Sequence, residues 1–220
     1  MRAFNLGLLV LAATAHGQGT FRNMDFEAAA QYVATTPPGQ YGDRIDPALA
    51  FQGWMVGDAP GSTPAFPTFY LYNAATVGSP AIDLIGPEFP NGLGLSALHG
   101  SYSVLIQNWG PGPGPTLSQT AIVPANAKSL SFLADQHYGT VAVSLNGVNI
   151  PLIPFYGGTL LAGDVTRFAG QTAQLTFTGT GQAYFDFIQF STVSVPEPSV
   201  SVIAGFGAAA LILRKCLTRL

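Results

Sequence analysis

The chain has 220 residues, a formal net charge of −3 and only 9% charged residues, together with 26 Gly and 17 Pro. An average protein has about 25% charged residues, so this chain is poor in charge and rich in turn formers. Residues 18–195 carry ten acidic and four basic side chains, which argues against a nucleic-acid partner, because such a partner requires clustered Lys and Arg. Cys216 is the single cysteine of the sequence, which excludes an intrachain disulfide.

The first residues have the pattern of a secretory signal peptide. Arg2 supplies a positive start, residues 6–13 form an apolar run, and the small residues Ala13 and Ala15 mark a cleavage site. A membrane anchor is the alternative interpretation, but the apolar run is short for one. We therefore expect residues 1–17 to be a signal peptide and residues 18–194 to form one exported domain.

The exported domain shows little helical periodicity and many short strand-like runs separated by Gly, Pro, Asn and Asp. The clearest is a hairpin at Asn146-Gly147, a dipeptide that suits a type I′ turn. This pattern predicts an all-β fold, a two-sheet jelly roll or β-sandwich. The predicted strands are residues 20–26, 49–56, 66–72, 81–85, 101–106, 117–123, 129–134, 140–145, 148–153, 172–178 and 183–190.

The last predicted strand, residues 183–190, carries an aspartate among large apolar residues. Strict alternation places Tyr184, Asp186, Ile188 and Phe190 on one face, and Phe185, Phe187 and Gln189 on the other. The pattern therefore predicts an aspartate held between large apolar side chains.

The C-terminal residues 195–220 resemble a membrane stop signal. Pro196-Glu197-Pro198 breaks the chain, residues 199–213 are uncharged and largely apolar, and Arg214 and Lys215 follow in a basic end. The apolar run of 200–213 would form about 21 Å of helix, short of the roughly 30 Å hydrocarbon core. We predict a single short transmembrane helix; the alternative is a buried terminal helix of a soluble domain.

This order of motif, apolar segment and basic end resembles the PEP-CTERM sorting tail of Gram-negative bacteria. The resemblance implies that an exosortase recognises Pro196, Glu197 and Pro198 and that Arg214 and Lys215 act as the stop. It also implies an inner-membrane intermediate that is later delivered to the cell surface or extracellular matrix.

The exported domain is similar to galactose-binding-like jelly rolls. The segments that carry the similarity include residues 23–27, 128–132, 143–147, 164–173 and 186–190. The resemblance implies a structural Ca²⁺ between the first and last strands, with Asp25, Glu27 and Asp186 as its carboxylate ligands. The alternative is that Asp25 and Glu27 lie in turns or at the surface, and that backbone N–H groups hold Asp186.

The aromatic residues suggest where a sugar would stack. Trp109, beside a loop of alternating Gly and Pro, is the preferred candidate, and Tyr156 is one of several tyrosines in predicted loops, whereas Trp54 lies in an apolar run typical of the core. Catalysis has little support, because no His-Glu-x-x-His, Cys-x-x-Cys or Gly-x-Ser-x-Gly motif occurs, and we place Asp135 and His137 in a turn. The sequence thus predicts a non-catalytic structural or adhesive module. The alternatives are a module that binds exopolysaccharide and, less favoured, a polysaccharide hydrolase.

Overall fold

The computed structural model describes residues 19–31, 43–58, 68–74, 80–87, 89, 95–110 and 114–195. The predicted signal peptide, the sorting motif and the predicted transmembrane helix lie outside these residues. Within the described ranges, no helix has the length and apolar character needed to cross a membrane.

The described residues are mostly β-structure, as the sequence predicts. The strands are β1 (Asp43–Arg44), β2 (Met55–Asp58), β3 (Phe69–Tyr72), β4 (Ala81–Ile85), β5 (Ser103–Asn108), β6 (Pro115–Ile122), β7 (Ser129–Leu145), β8 (Val148–Asn149), β9 (Ile153–Phe155), β10 (Leu160–Asp164) and β11 (Thr172–Ser191). One short helix, α1 (Pro47–Ala50), is capped by the side chain of Asp46, which accepts a hydrogen bond from the N–H of Ala48 at 2.9 Å. Single 3₁₀ turns occur at Glu27–Gln31, Tyr156–Gly158 and Thr166–Phe168.

The eleven strands are connected by hydrogen bonds in the order β1-β3-β4-β5-β11-β7-β10-β9, with β2 joined to β11 through β6 and β8 joined to β7. Every pairing is antiparallel except that of β3 with β4. The first half of β11 pairs with β6 and its second half with β5, whereas β7 follows β11 along its other edge. The long strands β7 and β11 therefore run through both parts of the sheet, the part that contains β6 and the part that contains β5.

The sheet is folded on itself, because β11 bends in the middle. Phe177 and Phe185 are eight positions apart, about 26 Å along a straight strand, yet their rings stack with centroids 4.6 Å apart. Glycines permit this bend: a Cβ on Gly179 would lie 2.5 Å from the Cβ of Ala183, and a Cβ on Gly139 would collide with the backbone of β11. The two halves of β11 thus face each other across the core.

An aromatic cluster fills the space between the two halves. Phe132 packs edge-on against both Phe177 and Phe185, at 5.3 and 6.3 Å between centroids. Trp54, 6% exposed, joins this cluster, which confirms its predicted place in the core, and its indole N–H donates to the carbonyl of Asn23 at 2.9 Å. Because the chain cannot form an intrachain disulfide, the burial of these large side chains is what stabilises the folded domain.

The structure corrects several predicted strand boundaries. Residues 129–134 and 140–145 belong to one strand, and so do 172–178 and 183–190, because glycines bend these strands without ending them. Residues 20–26 form no strand, since Asn23 and Phe26 adopt positive φ. The predicted strand 49–56 begins in α1 and reaches β2 only at Met55, and β10 was not predicted at all.

The predicted hairpin is confirmed. Asn146 and Gly147 have φ values of 50° and 74°, and Leu145 pairs with Val148 across the turn. The Asn146 side-chain oxygen also accepts a hydrogen bond from the N–H of Gln174 at 2.8 Å, which ties the turn to β11.

Candidate functional site

A β-bulge in the last strand determines which side chains leave the core. The register of β11 against β7 shifts between Asp186 and Gln189, and Phe187 adopts a φ of 51°. The predicted alternation is therefore wrong beyond Asp186. Ile188 and Phe190 lie in the same core as Phe185, whereas Asp186 points to the opposite face of the sheet, with Tyr184.

Asp186 is fully buried and completely hydrogen-bonded on that outer face. Its Oδ2 accepts from the hydroxyl of Ser103 at 2.7 Å and from the N–H of His99 at 3.0 Å, while Oδ1 accepts from the N–H of Phe187 at 2.5 Å. Burial raises the pKa of Asp186 to about 6, although these hydrogen bonds favour the carboxylate and lower it. The carboxyl therefore keeps its proton to a higher pH than an exposed aspartate does.

The segment of residues 95–103, called here the cover loop, packs over this face. Glu27 Oε1 accepts from the N–H groups of Ser101 and Tyr102 at 2.7 and 3.0 Å, and the N–H of Leu98 donates to Ser103 Oγ at 2.9 Å. The Tyr184 hydroxyl donates to the carbonyl of Ser96, and burial raises its pKa to about 12. Two carboxylates and a tyrosine from distant parts of the chain thus hold the cover loop in place.

An open groove of about 700 Å³ lies beside the cover loop. Its walls come from the cover loop, from β7 and from the turn between β9 and β10. The lining residues are Leu98, Leu133, Ala134, Asp135, Gln136, His137, Gly157, Gly158 and Thr159.

Two residues with titratable side chains, Asp135 and His137, line the groove. His137 Nδ1 lies 3.5 Å from Asp135 Oδ1, and the two side chains are 82% and 42% exposed. Tyr156, 78% exposed, directly precedes the two glycines of the rim. Both Asp135 and His137 belong to β7, so the sequence-based placement of this pair in a turn is wrong.

A second buried acid lies on the same sheet face but not among the residues that line the groove. Asp83 Oδ2 accepts from Gln107 Nε2 at 2.7 Å, and Gln107 Oε1 accepts from Gln182 Nε2 at 3.4 Å. Burial raises the pKa of Asp83 well above its ordinary value. Asp83 Oδ1 has no hydrogen-bond partner in the described part of the chain, so no hydrogen bond there compensates for the burial of this oxygen.

The structure does not bring Asp25, Glu27 and Asp186 together as a set of metal ligands. Asp25 Oδ1 accepts from the N–H of Glu27 at 3.4 Å, whereas Glu27 and Asp186 each bind N–H groups of the cover loop. Among the described residues, no group of three or more His, Cys, Asp or Glu could hold a metal ion. Glu27 and Asp186 thus accept hydrogen bonds from backbone N–H groups, and calcium binding stays a prediction.

Trp109 lies apart from the groove. It directly follows the end of β5, is 50% exposed and is not among the lining residues. Sequence reasoning missed Leu98 and the rim at Gly157, Gly158 and Thr159. The one signal that pointed toward the rim was Tyr156 in a predicted loop.

No family model and no curated protein matches the chain. Among solved structures, the chain is similar to the Stig cyclase Fisc from Fischerella sp. TAU, with 14% identity, coverage of 78% of this chain and 95% of that one, and a TM-score of 0.44. It is similar to TmCBM61 in complex with β-1,4-galactotriose, with 13% identity, coverage of 79% and 97%, and a TM-score of 0.40. The catalytic unit of a GH87 α-1,3-glucanase from Streptomyces thermodiastaticus strain HF3-3 shows 19% identity, coverage of 67% and 28%, and a TM-score of 0.35. Similarities of this strength assign neither a family nor a function.

Proposed function

We propose that the chain is an exported envelope or matrix protein whose jelly-roll domain binds carbohydrate in the groove without catalysing a reaction. The observation that carries this proposal is the groove itself, which Asp135, His137 and Thr159 line together with Gly157 and Gly158. Ligand sites in proteins commonly have volumes of about 300–1,000 Å³ with a few orienting polar groups, and this groove fits that description. Sugar hydroxyls both donate and accept hydrogen bonds, so a carboxylate, an imidazole and a hydroxyl suit them.

Binding is favoured over hydrolysis by the number of carboxylates. Most glycoside hydrolases use a pair of carboxyl groups about 5–10 Å apart. Of the described residues that line the groove, Asp135 is the one with a carboxylate. The fully buried Asp186 is already bound to Ser103, His99 and Phe187, so it is engaged in structure.

Export and sorting complete the proposal. The evidence for them is the predicted signal peptide and the resemblance of residues 195–220 to a PEP-CTERM tail, with an exosortase as partner. Mass spectrometry of the two ends of the mature protein tests this part. We expect a first residue near His16 or Gln18 and cleavage near Pro196; a full-length chain with both ends intact would contradict it.

Binding of the purified full chain to an array of neutral and acidic bacterial polysaccharides tests the carbohydrate part. We expect binding that is lost in Asp135→Ala and His137→Ala, with Trp109→Ala as a control of similar exposure outside the groove. If Trp109→Ala alone abolished binding, the site would be at Trp109 and the groove assignment would fall. If the wild-type chain bound nothing, the domain would be left with a structural role.

A further inference from the structure

Two aromatic rings from distant parts of the chain are stacked next to the groove. The imidazole of His99 lies on the ring of Phe187, with centroids 4.0 Å apart and planes inclined by 25°. His99 is exposed at the protein surface, and Phe187 beneath it is partly buried. We call these two side chains the ring pair.

The ring pair is built around one carboxylate. The backbone N–H groups of His99 and Phe187 donate to the two oxygens of Asp186, at 3.0 and 2.5 Å. Asp186 is itself fixed by the hydroxyl of Ser103 at 2.7 Å and is fully buried. A single buried carboxylate therefore fixes the backbone from which both rings extend, and such preorganisation lowers the cost of binding.

Phe187 reaches this position through an unusual backbone conformation. Its φ of 51° falls in the left-handed region, which large side chains rarely adopt. Strained conformations of this kind persist where the surrounding structure enforces them, and they concentrate at functional sites. Here the enforcing contacts are the bulge and the hydrogen bond to Asp186.

The ring pair lies beside the groove, next to two of its lining residues, although neither ring is itself part of the lining. Leu98, the neighbour of His99, and Leu133, the cross-strand partner of Asp186, both line the groove. Asp135 and His137 line the groove further along β7. A ligand that extends from the groove past Leu98 would thus meet the ring pair as well as the hydrogen-bonding groups of Asp135 and His137.

We propose that the ring pair is a subsite of the groove that takes the C–H face of a sugar ring, and that Asp186 is the residue that positions it. The inference rests on the proposed carbohydrate function and adds a specific contact to it. Aromatic rings offer a flat apolar surface, and one such stacking contact changes affinity by about three- to tenfold.

Calorimetric titration of the full chain with neutral oligosaccharides (cellohexaose, maltohexaose and mannohexaose) tests the subsite. For the best binder we expect His99→Gln to weaken affinity about five- to tenfold and His99→Phe to retain it, because Phe keeps a stacking ring. Phe187→Gly should weaken binding similarly while the fold survives, since Gly adopts positive φ without strain. Circular dichroism confirms folding of each variant.

Asp186 as a positioning residue is tested by a double-mutant cycle. Asp186→Asn should weaken binding in the wild-type background and have little further effect in His99→Gln, because the two residues act through the same contact. Additive losses would overturn its positioning role.

The outcomes separate the two proposals. If His99→Gln and Phe187→Gly bound as tightly as wild type while Asp135→Ala did not bind, the subsite would be wrong and the groove right. If His99→Phe lost as much as His99→Gln, a hydrogen bond rather than stacking would be responsible and the subsite would also fall. If the wild-type chain bound none of the probes and nothing on the polysaccharide array, the carbohydrate function would fail together with the subsite.

Discussion

Gly139 of β7 lies directly against the backbone of Thr180 in β11, at the point where both strands bend. A Cβ at this position would collide with the Thr180 carbonyl oxygen and lie 2.5 Å from the N–H nitrogen of Gln182. The close approach allows the two long strands to stay paired through the fold of the sheet, so the absence of a side chain here is a requirement of the architecture.

Gly139→Ala should therefore destabilise the domain. Because the obstacle is backbone rather than a flexible side chain, we expect a loss of about 1–3 kcal/mol or more in the free energy of unfolding. Urea denaturation measures it. Gly57→Ala is a matched control in strand β2, where the nearest neighbour of a new Cβ is Thr116 Oγ1 at 3.7 Å. Equal stability of the two variants would contradict the close approach.

Phe177→Ala should remove the centre of the aromatic cluster. Phe177 is fully buried and contacts Trp54, Phe132 and Phe185. Truncation of such a residue costs about 3–5 kcal/mol, because it leaves a cavity as well as losing buried area. Tyr156→Ala, at a site 78% exposed, is the control and should change stability by less than about 0.5 kcal/mol. A loss below about 1 kcal/mol in Phe177→Ala would show that the two halves of β11 do not pack on each other.

Stability should fall as pH rises through the titration of Asp186. Its pKa is raised from 3.8 to about 6 in the folded state, so between these values the folded chain binds more protons than the unfolded chain. Stability is then highest below the unfolded pKa and decreases as pH rises through the folded one. Denaturation midpoints at about pH 4 and about pH 7 measure the change.

Asp186→Asn provides the control for this pH dependence. The variant should lose the part of the slope between pH 3.8 and about 6, while the contribution of Asp83, whose pKa is raised in the same direction, persists. An unchanged slope in Asp186→Asn would assign the pH dependence to other groups.

The hairpin at Asn146 should be more sensitive to Ala than to Gly. Ala at a φ of 50° costs about 1–2 kcal/mol in conformational energy, whereas Gly adopts this conformation freely. Both variants lose the hydrogen bond from the N–H of Gln174 to the Asn146 side chain. The difference between their unfolding free energies therefore measures the cost of the positive φ alone. Thermal unfolding that ranks Asn146→Gly below Asn146→Ala would contradict this account.

Local signals in the sequence were sufficient for several features of the fold. The Asn146-Gly147 turn, the strand at Ala81–Ile85 and the burial of Trp54 all agree with the structure. Each depends on contacts or conformations within a few residues, which composition and periodicity report directly. The predominance of β-structure follows from the same signals.

The arrangement of side chains around the groove depends on contacts between residues far apart in the chain. His99 and Asp186 are 87 positions apart, and Glu27 reaches Tyr102 over 75. The bulge at Phe187 reverses the faces of the residues that follow it, and periodicity cannot anticipate a shift that arises only when β11 pairs with β7. The sequence by itself therefore determined the all-β character and the turn at Asn146-Gly147. Only the tertiary structure decided which side chains meet in the groove, because hydrogen bonds and packing across the folded sheet fix their positions.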